Sequence, residues 1–145
     1  MSQTLYVSLD RELNGVEINH DRVFLARLVG DLETLAATAS KLGTASLSTF
    51  QSYSAEDMAD LVHDPGELNI EPVKWFEPKD ALPAVKALQQ HYANNRFVIE
   101  RGRKQHGSWE PVDRTDDLLR ELRDLECVLV EAEKAGAKFR LHIGF

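Results

Sequence analysis

The chain of 145 residues carries 24 acidic and 17 basic side chains, and 43% of its residues are hydrophobic. This composition predicts a single globular domain spanning residues 1–145. Its apolar runs are shorter than the roughly 20 residues that a membrane span needs, and residues 1–5 lack the features of a secretory signal. We therefore predict a cytoplasmic protein that does not bind membranes. The net charge of −7 makes nucleic acid an unfavoured partner.

The first predicted elements are a strand and a helix. Residues 4–9 alternate between apolar and polar side chains, which is the period of a half-buried strand. Over residues 21–42, leucines and alanines recur three and four positions apart and predict one helix that ends at Gly43. Gly30 lies inside this helix and weakens it, so a kink or a break into two helices near Asp31 is an alternative to the single helix that we predict.

The middle of the chain predicts short helices separated by an ordered loop. Residues 47–53 suit a single helical turn folded onto the core. A further helix starts at Ser54, where Asp57 occupies the acidic position of a capping box, and it ends at residues 64–66. The proline-rich residues 66–78 then form an ordered loop.

The second half of the chain predicts two long helices and a final strand. We expect the first of these helices to be capped by Asp80, because that start places Pro83 in the first turn, where its missing N–H costs nothing. This helix runs to Asn94. A second helix covers residues 115–134, and residues 138–145 alternate as a strand with one wet face.

Both ends of the chain are thus predicted strands, and the middle is helical. The predicted fold class is α+β, with three to four helices packed on a small sheet that includes the N- and C-terminal strands. Residues 16–18 and 97–99 are candidates for a third strand. We expect residues 101–109 to be a surface loop, and residues 100–112 to be mobile.

The sequence contains no motif that dictates a reaction. Its eight glycines never take the spacing of a phosphate-binding or dinucleotide-binding loop, and no nucleophile elbow is present. We therefore predict no catalytic residue and no cofactor, and enzymatic activity is not favoured. Four possible metal ligands lie near one helix face, namely Glu56, Asp60, His63 and Asp64. A solvated acidic surface explains them better than a metal site does. We therefore predict no metal.

Cys127 is the single cysteine of the chain, so no internal disulfide can form. This agrees with a reducing compartment. Because Cys127 precedes an apolar run at residues 128–130 within a helix, we predict a buried small side chain.

Two groups of aromatic and charged side chains are candidates for contacting a partner. Trp75 and Phe76 lie side by side before an acidic stretch, and exposed aromatic residues are enriched in binding hot spots. Residues 96–107 carry four basic side chains and one acidic side chain. Whether the two rings pack in the core or contact a partner stays open. The predicted partner-binding residues are Trp75, Phe76, Glu77, Asp80, Arg101, Arg103, Lys104 and Trp109.

The polar faces of the two terminal strands offer an alternative site. Strand alternation places Arg140 and His142 on one face of the last strand, and Tyr6 on the polar face of the first. These three residues would lie at the mouth of a pocket between the sheet and the helices, in a small-molecule-binding domain or a small enzyme. A solvated sheet face is the simpler explanation.

A third hypothesis is a self-assembling protein that uses the leucine face of residues 118–132. Two heptads are too few to predict a coiled coil, and any helix packed on a core shows the same stripe.

Four segments carry a resemblance to other proteins: the Tyr-Val-Ser-Leu of residues 6–9, the Ala/Leu-rich residues 25–37, the Trp-Phe-x-Pro of residues 75–78, and the hydrophobic residues 139–145. In these segments the chain resembles a group of small bacterial proteins without a known activity. The resemblance implies helix starts, core positions and an aromatic loop, and it implies no reaction. Residues 101–109 are longer and more basic than that pattern.

Taken together, the sequence favours a non-enzymatic cytoplasmic module that binds another protein, as an immunity or regulatory protein does, through an acidic and aromatic surface. The identity of the partner and the oligomeric state do not follow from the sequence.

Overall fold

The computed structural model describes residues 3–15, 18, 21–59, 72–103 and 109–144, with the backbone alone for residues 56, 59, 100–103 and 109–110. The predicted α+β class is confirmed. In chain order the elements are β1 (Thr4–Leu9), α1 (Val23–Gly30), α2 (Leu32–Leu42), a 3-10 turn (Leu47–Phe50), α3 (Ala55–Ala59), α4 (Pro78–Asn94), β2 (Val98–Arg103), β3 (Trp109–Asp113), α5 (Thr115–Lys134) and β4 (Phe139–Gly144).

The two terminal strands pair with each other, as predicted. β1 and β4 run antiparallel, with Thr4 opposite Gly144 and Leu9 opposite Phe139. The inner face of this sheet belongs to the hydrophobic core that it shares with α1, α4 and α5. The inward side chains of this sheet, Leu5, Val7, Phe139 and Leu141, are buried in that core.

The second edge of β4 is occupied by two connecting segments. Ser52 donates its backbone N–H to the carbonyl of Leu141 at 3.0 Å. Phe76 and Phe139 exchange two backbone hydrogen bonds, at 2.8 and 2.9 Å. The loop before α4 is therefore fixed to the sheet, and this fixes the position of its neighbour Trp75.

The single helix predicted over residues 21–42 is wrong, because the chain forms two helices. Asp31 separates α1 from α2 with a non-helical backbone at φ −88° and ψ 78°, and its carboxylate accepts the N–H of Thr34 at 3.2 Å. Aspartate is among the best N-caps, and Gly30 just before it favours the helix poorly. The local preferences of two adjacent residues therefore outweigh the continuous apolar face.

The predicted start of α4 is also wrong. The helix begins at Pro78, at the first helical position that proline favours, and Pro83 lies inside it. Pro83 has no N–H to donate to the carbonyl of Lys79. Both residues are exposed, so water can satisfy that carbonyl.

The segment predicted as a surface loop, residues 101–109, has its two ends in strands. β2 and β3 form an antiparallel hairpin in which Val98 lies opposite Asp113 and Arg101 opposite Glu110, with a bulge before Arg103. Residues 97–99 thus start a second sheet and add no strand to the first. Residues 16 and 17, and the tip of the hairpin at 104–108, lie outside the described residues.

The predicted burial of Cys127 is wrong, since its side chain is exposed. The buried stripe of α5 includes Leu125 and Leu129, and Cys127 lies midway between them in sequence. Two residues correspond to about 200° of rotation around a helix, so Cys127 faces away from this stripe.

Candidate functional site

Tyr6, Arg140 and His142 lie together on the outer face of the β1–β4 sheet, opposite the core. Tyr6 and His142 are direct cross-strand partners. Their rings stack with centroids 5.0 Å apart and planes inclined by 11°. Residues 51–57 pass over this face and supply Tyr53, whose ring meets His142 edge-on at 6.0 Å.

Arg140 connects the sheet to the segment that covers it. Its Nη1 donates to the carboxylate Oδ2 of Asp57 at 2.6 Å and to the carbonyl of Ser52 at 2.9 Å. The Arg140 and Asp57 side chains are only 11% and 16% exposed. The predicted capping box holds Asp57 in place, because Ser54 N donates to Asp57 Oδ2 and Asp57 N donates to Ser54 Oγ.

The ring nitrogens of His142 face protein groups on both sides. Nδ1 lies 3.5 Å from Arg140 Nη1, and Nε2 lies 3.5 Å from Asp57 Oδ1. A neutral ring with its proton on Nε2 satisfies both contacts, with Nδ1 as acceptor. In this arrangement His142 orients its neighbours and offers no unoccupied nitrogen as a general base.

Asp57 is ionised across the neutral pH range. Burial alone would raise the pKa of its carboxyl, but the hydrogen bonds from the Ser54 backbone and from Arg140 outweigh burial and hold the pKa below its usual value. The stability that this carboxylate contributes is present above its ordinary pKa of 3.8 and is lost as the pH falls through the folded-state pKa.

We expect Arg140 and Asp57 to be coupled more strongly than an exposed ion pair. A double-mutant cycle with Arg140→Met and Asp57→Asn should give a coupling free energy of about 1–3 kcal/mol from denaturant unfolding, between the values for exposed and fully buried pairs. The pair Lys134–Glu131, with side chains 69% and 48% exposed, is the control and should give less than about 0.5 kcal/mol. Equal coupling for the two pairs would refute this prediction.

Trp75 is held in place and is nevertheless exposed. On one side, Lys74 N donates to Ser52 Oγ at 2.8 Å, and on the other Phe76 pairs with β4. The guanidinium carbon of Arg140 lies 5.6 Å from the centre of the Trp75 ring. The residue remains 39% exposed. A large apolar ring is therefore presented to the outside in a fixed position.

The adjacent Phe76 takes the opposite orientation. Its ring packs against those of Phe50 and Phe139, with centroids 5.5 and 6.3 Å away, and it belongs to the rim of the core. Of the two rings whose burial the sequence left open, that of Phe76 therefore packs against the core and that of Trp75 is partly exposed.

The charges next to Trp75 are balanced. Glu77 and Asp80 are exposed, and Glu77 lies 3.8 Å from the exposed Lys138. Lys79 is exposed as well.

The basic candidates lie elsewhere. Arg101 and Arg103 are in β2, Trp109 begins β3 opposite Arg103, and Lys104 lies outside the described residues. The hairpin follows the C-terminal end of α4, whereas Trp75 precedes its N-terminal end. A helix of 17 residues is about 25 Å long. The two predicted groups are therefore attached to opposite ends of α4.

Sequence reasoning missed one buried acidic residue, Glu121 on α5, which is 3% exposed. Its Oε1 accepts the backbone N–H groups of Phe24 and Leu25, both at 3.0 Å, and so caps α1 from another element. Burial raises its pKa to about 7 although these hydrogen bonds lower it. Its position beside Leu122 on the apolar face of α5 was the available signal.

A second buried charge ties the same elements together. Arg22 is fully buried and donates from Nη2 to Asp124 at 2.6 Å. Its backbone N–H donates to Thr4 Oγ1 at 2.9 Å. These contacts join β1, the start of α1 and α5.

An open groove of about 540 Å³ runs beside β1. Consecutive residues of the strand line it, Tyr6 among them, and because successive side chains point to opposite faces, the groove follows the strand edge. Arg11, Leu13 and Ile18 also line it.

Metal and membrane sites find no support in the part of the chain that is described. No group of three or more His, Cys, Asp or Glu side chains there is arranged to hold a metal ion. The weak candidates Asp60, His63 and Asp64 lie outside the described residues, as does the side chain of Glu56. No helix in the same part combines the length and apolar character needed to cross a membrane.

The fold and the site define a small α+β domain with an ion-pair and aromatic cluster on the outer face of its terminal sheet. The chain matches no protein-family model, no curated protein and no solved structure.

Proposed function

We propose that this chain is a non-enzymatic protein-binding module, of the immunity or regulatory type, whose central contact is Trp75. The observation that carries the proposal is that Trp75 remains 39% exposed although its backbone neighbours are bonded to Ser52 and Phe139 and its ring lies against Arg140. A tryptophan that is both fixed and exposed is consistent with a function in recognition.

The energetics of protein interfaces support this assignment. Tryptophan and arginine are the residues most enriched in binding hot spots. A side chain already fixed in one position loses little conformational entropy when a partner covers it. The balanced acidic and basic side chains around the ring, such as Glu77 and Lys79, suit the polar rim that surrounds such a contact.

The polar cluster beneath Trp75 supports binding over catalysis. Arg140 Nη1 is bonded to Asp57, and both nitrogens of His142 face these two side chains. The cluster thus acts as a rigid base for the exposed ring.

Photo-crosslinking in the native cell tests this proposal. A benzophenone amino acid at position 75 should capture one protein reproducibly, whereas the same group at position 32 should not. Leu32 is the matched control because it is an exposed apolar residue on another element, 59% exposed at the start of α2.

The captured protein then allows a quantitative measurement. Trp75→Ala should weaken its binding about 30-fold, the effect of losing a hot spot worth about 2 kcal/mol, and Leu32→Ala should leave the affinity unchanged. Capture at both positions, or equal affinities for the two variants, would rule out Trp75 as the central contact.

The groove beside β1 favours a second candidate, a small-molecule-binding domain. Its volume of about 540 Å³ falls within the range of ligand sites, and Tyr6 lines it. A metabolite that raises the melting temperature of the protein, and fails to do so for Tyr6→Ala, would favour this candidate over the first.

A further inference from the structure

The backbone of the β2–β3 hairpin determines which groups face its two outer edges. In an antiparallel pair, successive residues alternate between bonding to the partner strand and facing away. Arg114 N donates to the carbonyl of Phe97 at 2.8 Å. Residues 97, 99 and 101 therefore face β3, and the backbone groups of residues 96, 98 and 100 face outward.

The two outer edges differ in their ability to accept another strand. On β3, Pro111 lies opposite Glu100 and its ring nitrogen faces outward, so this edge lacks a donor and is protected from pairing. On β2, Val98 is 49% exposed, and Arg96 is 83% exposed although its Nε lies 3.7 Å from Asp113 Oδ2. Within the described part of the chain, the outward backbone groups of Val98 make no hydrogen bond to another backbone group.

We propose that a second copy of this chain pairs with the open edge of β2, antiparallel and about a two-fold axis at Val98. The two hairpins then form one four-stranded sheet. Val98 meets Val98 of the second copy at the axis, and Arg96 lies opposite the glutamate at position 100 on each side.

The charges along the β2 edge favour a second copy of the chain as the partner, and they favour this register. The edge is self-complementary, because the basic residue and the acidic residue lie at equal distances on either side of Val98. Self-complementarity is what a two-fold interface requires. Shifting the register by two residues places Glu100 opposite Val98, and shifting it by four places Glu100 opposite its own copy, which is repulsive.

The interface is short, because only residues 96–100 of each copy take part in it. It lies below the size of obligate dimer interfaces, so the association should be reversible, with a Kd on the order of 100 µM. The proposal is independent of Trp75, which is attached to the other end of α4.

Sedimentation of the full chain from about 10 µM to about 1 mM tests the proposal. We expect a monomer to convert to a dimer over this range. Arg96→Glu and Glu100→Arg, each alone, should weaken the dimer at least tenfold by placing like charges opposite each other, and the double variant should restore it. Leu32→Lys, a charge change at an exposed position outside the hairpin, should have no effect.

A cysteine at the axis gives a direct readout. In a Cys127→Ser background, Val98→Cys should form an intermolecular disulfide under mild oxidation, because outward-facing paired residues have Cα atoms about 5.5 Å apart, a distance that suits a disulfide. Leu32→Cys in the same background is the control. A chain that stays monomeric up to about 1 mM, a dimer that the double charge exchange does not restore, or crosslinking at both positions overturns the proposal.

Discussion

Replacing Glu121 with glutamine should change the free energy of unfolding by about 3 kcal/mol more favourably at pH 8 than at pH 4.5. The carboxyl lies 3% exposed between α5 and the start of α1, and burial raises its pKa from the ordinary 4.5 to about 7. A group whose pKa is raised in the folded state stabilises that state fully below its ordinary pKa. This stability is lost as the pH rises through the folded-state value of about 7.

The charges that face Glu121 act in both directions. Asp21 raises its pKa and Arg120 on α5 lowers it, while the amides of Phe24 and Leu25 favour the ionised form. Glutamine keeps an oxygen for these amides and never ionises, so it removes the pH dependence and retains most of the cap. Glu121→Ala leaves two buried N–H groups unpaired and should cost about 2–4 kcal/mol at pH 4.5.

Denaturant unfolding of the three proteins at pH 4.5 and pH 8 measures both effects. From pH 4.5 to pH 8, the free energy of unfolding of the wild type should decrease relative to that of Glu121→Gln. An unchanged difference between these two proteins at the two pH values would contradict the assigned pKa. A cost below about 1 kcal/mol for Glu121→Ala would contradict the cap.

Replacing Phe139 with alanine should destabilise the protein by about 3–5 kcal/mol, the usual cost of removing a buried phenylalanine. Phe139 is fully buried, and its ring contacts those of Phe50 and Phe76. The substitution leaves a cavity beneath the loop that carries Trp75. This loop should become the first part of the chain to open.

Phe139→Leu is the control and should cost less than about 1.5 kcal/mol, because leucine conserves most of the volume. Thermal unfolding gives the stabilities, and hydrogen exchange at the Phe76 amide, which donates to the Phe139 carbonyl, reports on the loop. Equal costs for the two variants would show that the core can rearrange to fill the space.

Local patterns predicted the elements that depend on neighbouring residues. The alternation in residues 4–9 and 138–145 gave both terminal strands, and the leucine spacing gave α5. The capping box of Ser54 and Asp57 formed as predicted, since both partners lie within one helical turn. These features need no knowledge of distant contacts.

Features that depend on distant contacts were missed. Phe76, two residues before α4, is bonded to Phe139, more than sixty residues later, and no local pattern predicts this pairing. The β2–β3 hairpin depends on pairing across a turn that has no strong turn motif. Glu121 is buried because it caps a helix 96 residues away from it in the sequence.

The candidate site likewise combines residues that local patterns predict with residues that only distant contacts bring together. Strand alternation brought Tyr6, Arg140 and His142 to one face before their contacts were seen. Asp57 and Trp75, which complete the cluster, come from segments more than sixty residues distant from Arg140, and only the folded chain brings them to it.

The pairing of Leu9 with Phe139 joins residues 130 positions apart, and this separation governs when the domain can fold. Closing so long a loop costs entropy before any contact repays it, so the terminal sheet should form late and slowly. On the ribosome, β1 must wait until β4 has been synthesised, with Leu5 and Val7 uncovered on one side during that time. During that interval the first strand has no partner, and its uncovered apolar side chains favour aggregation of the nascent chain.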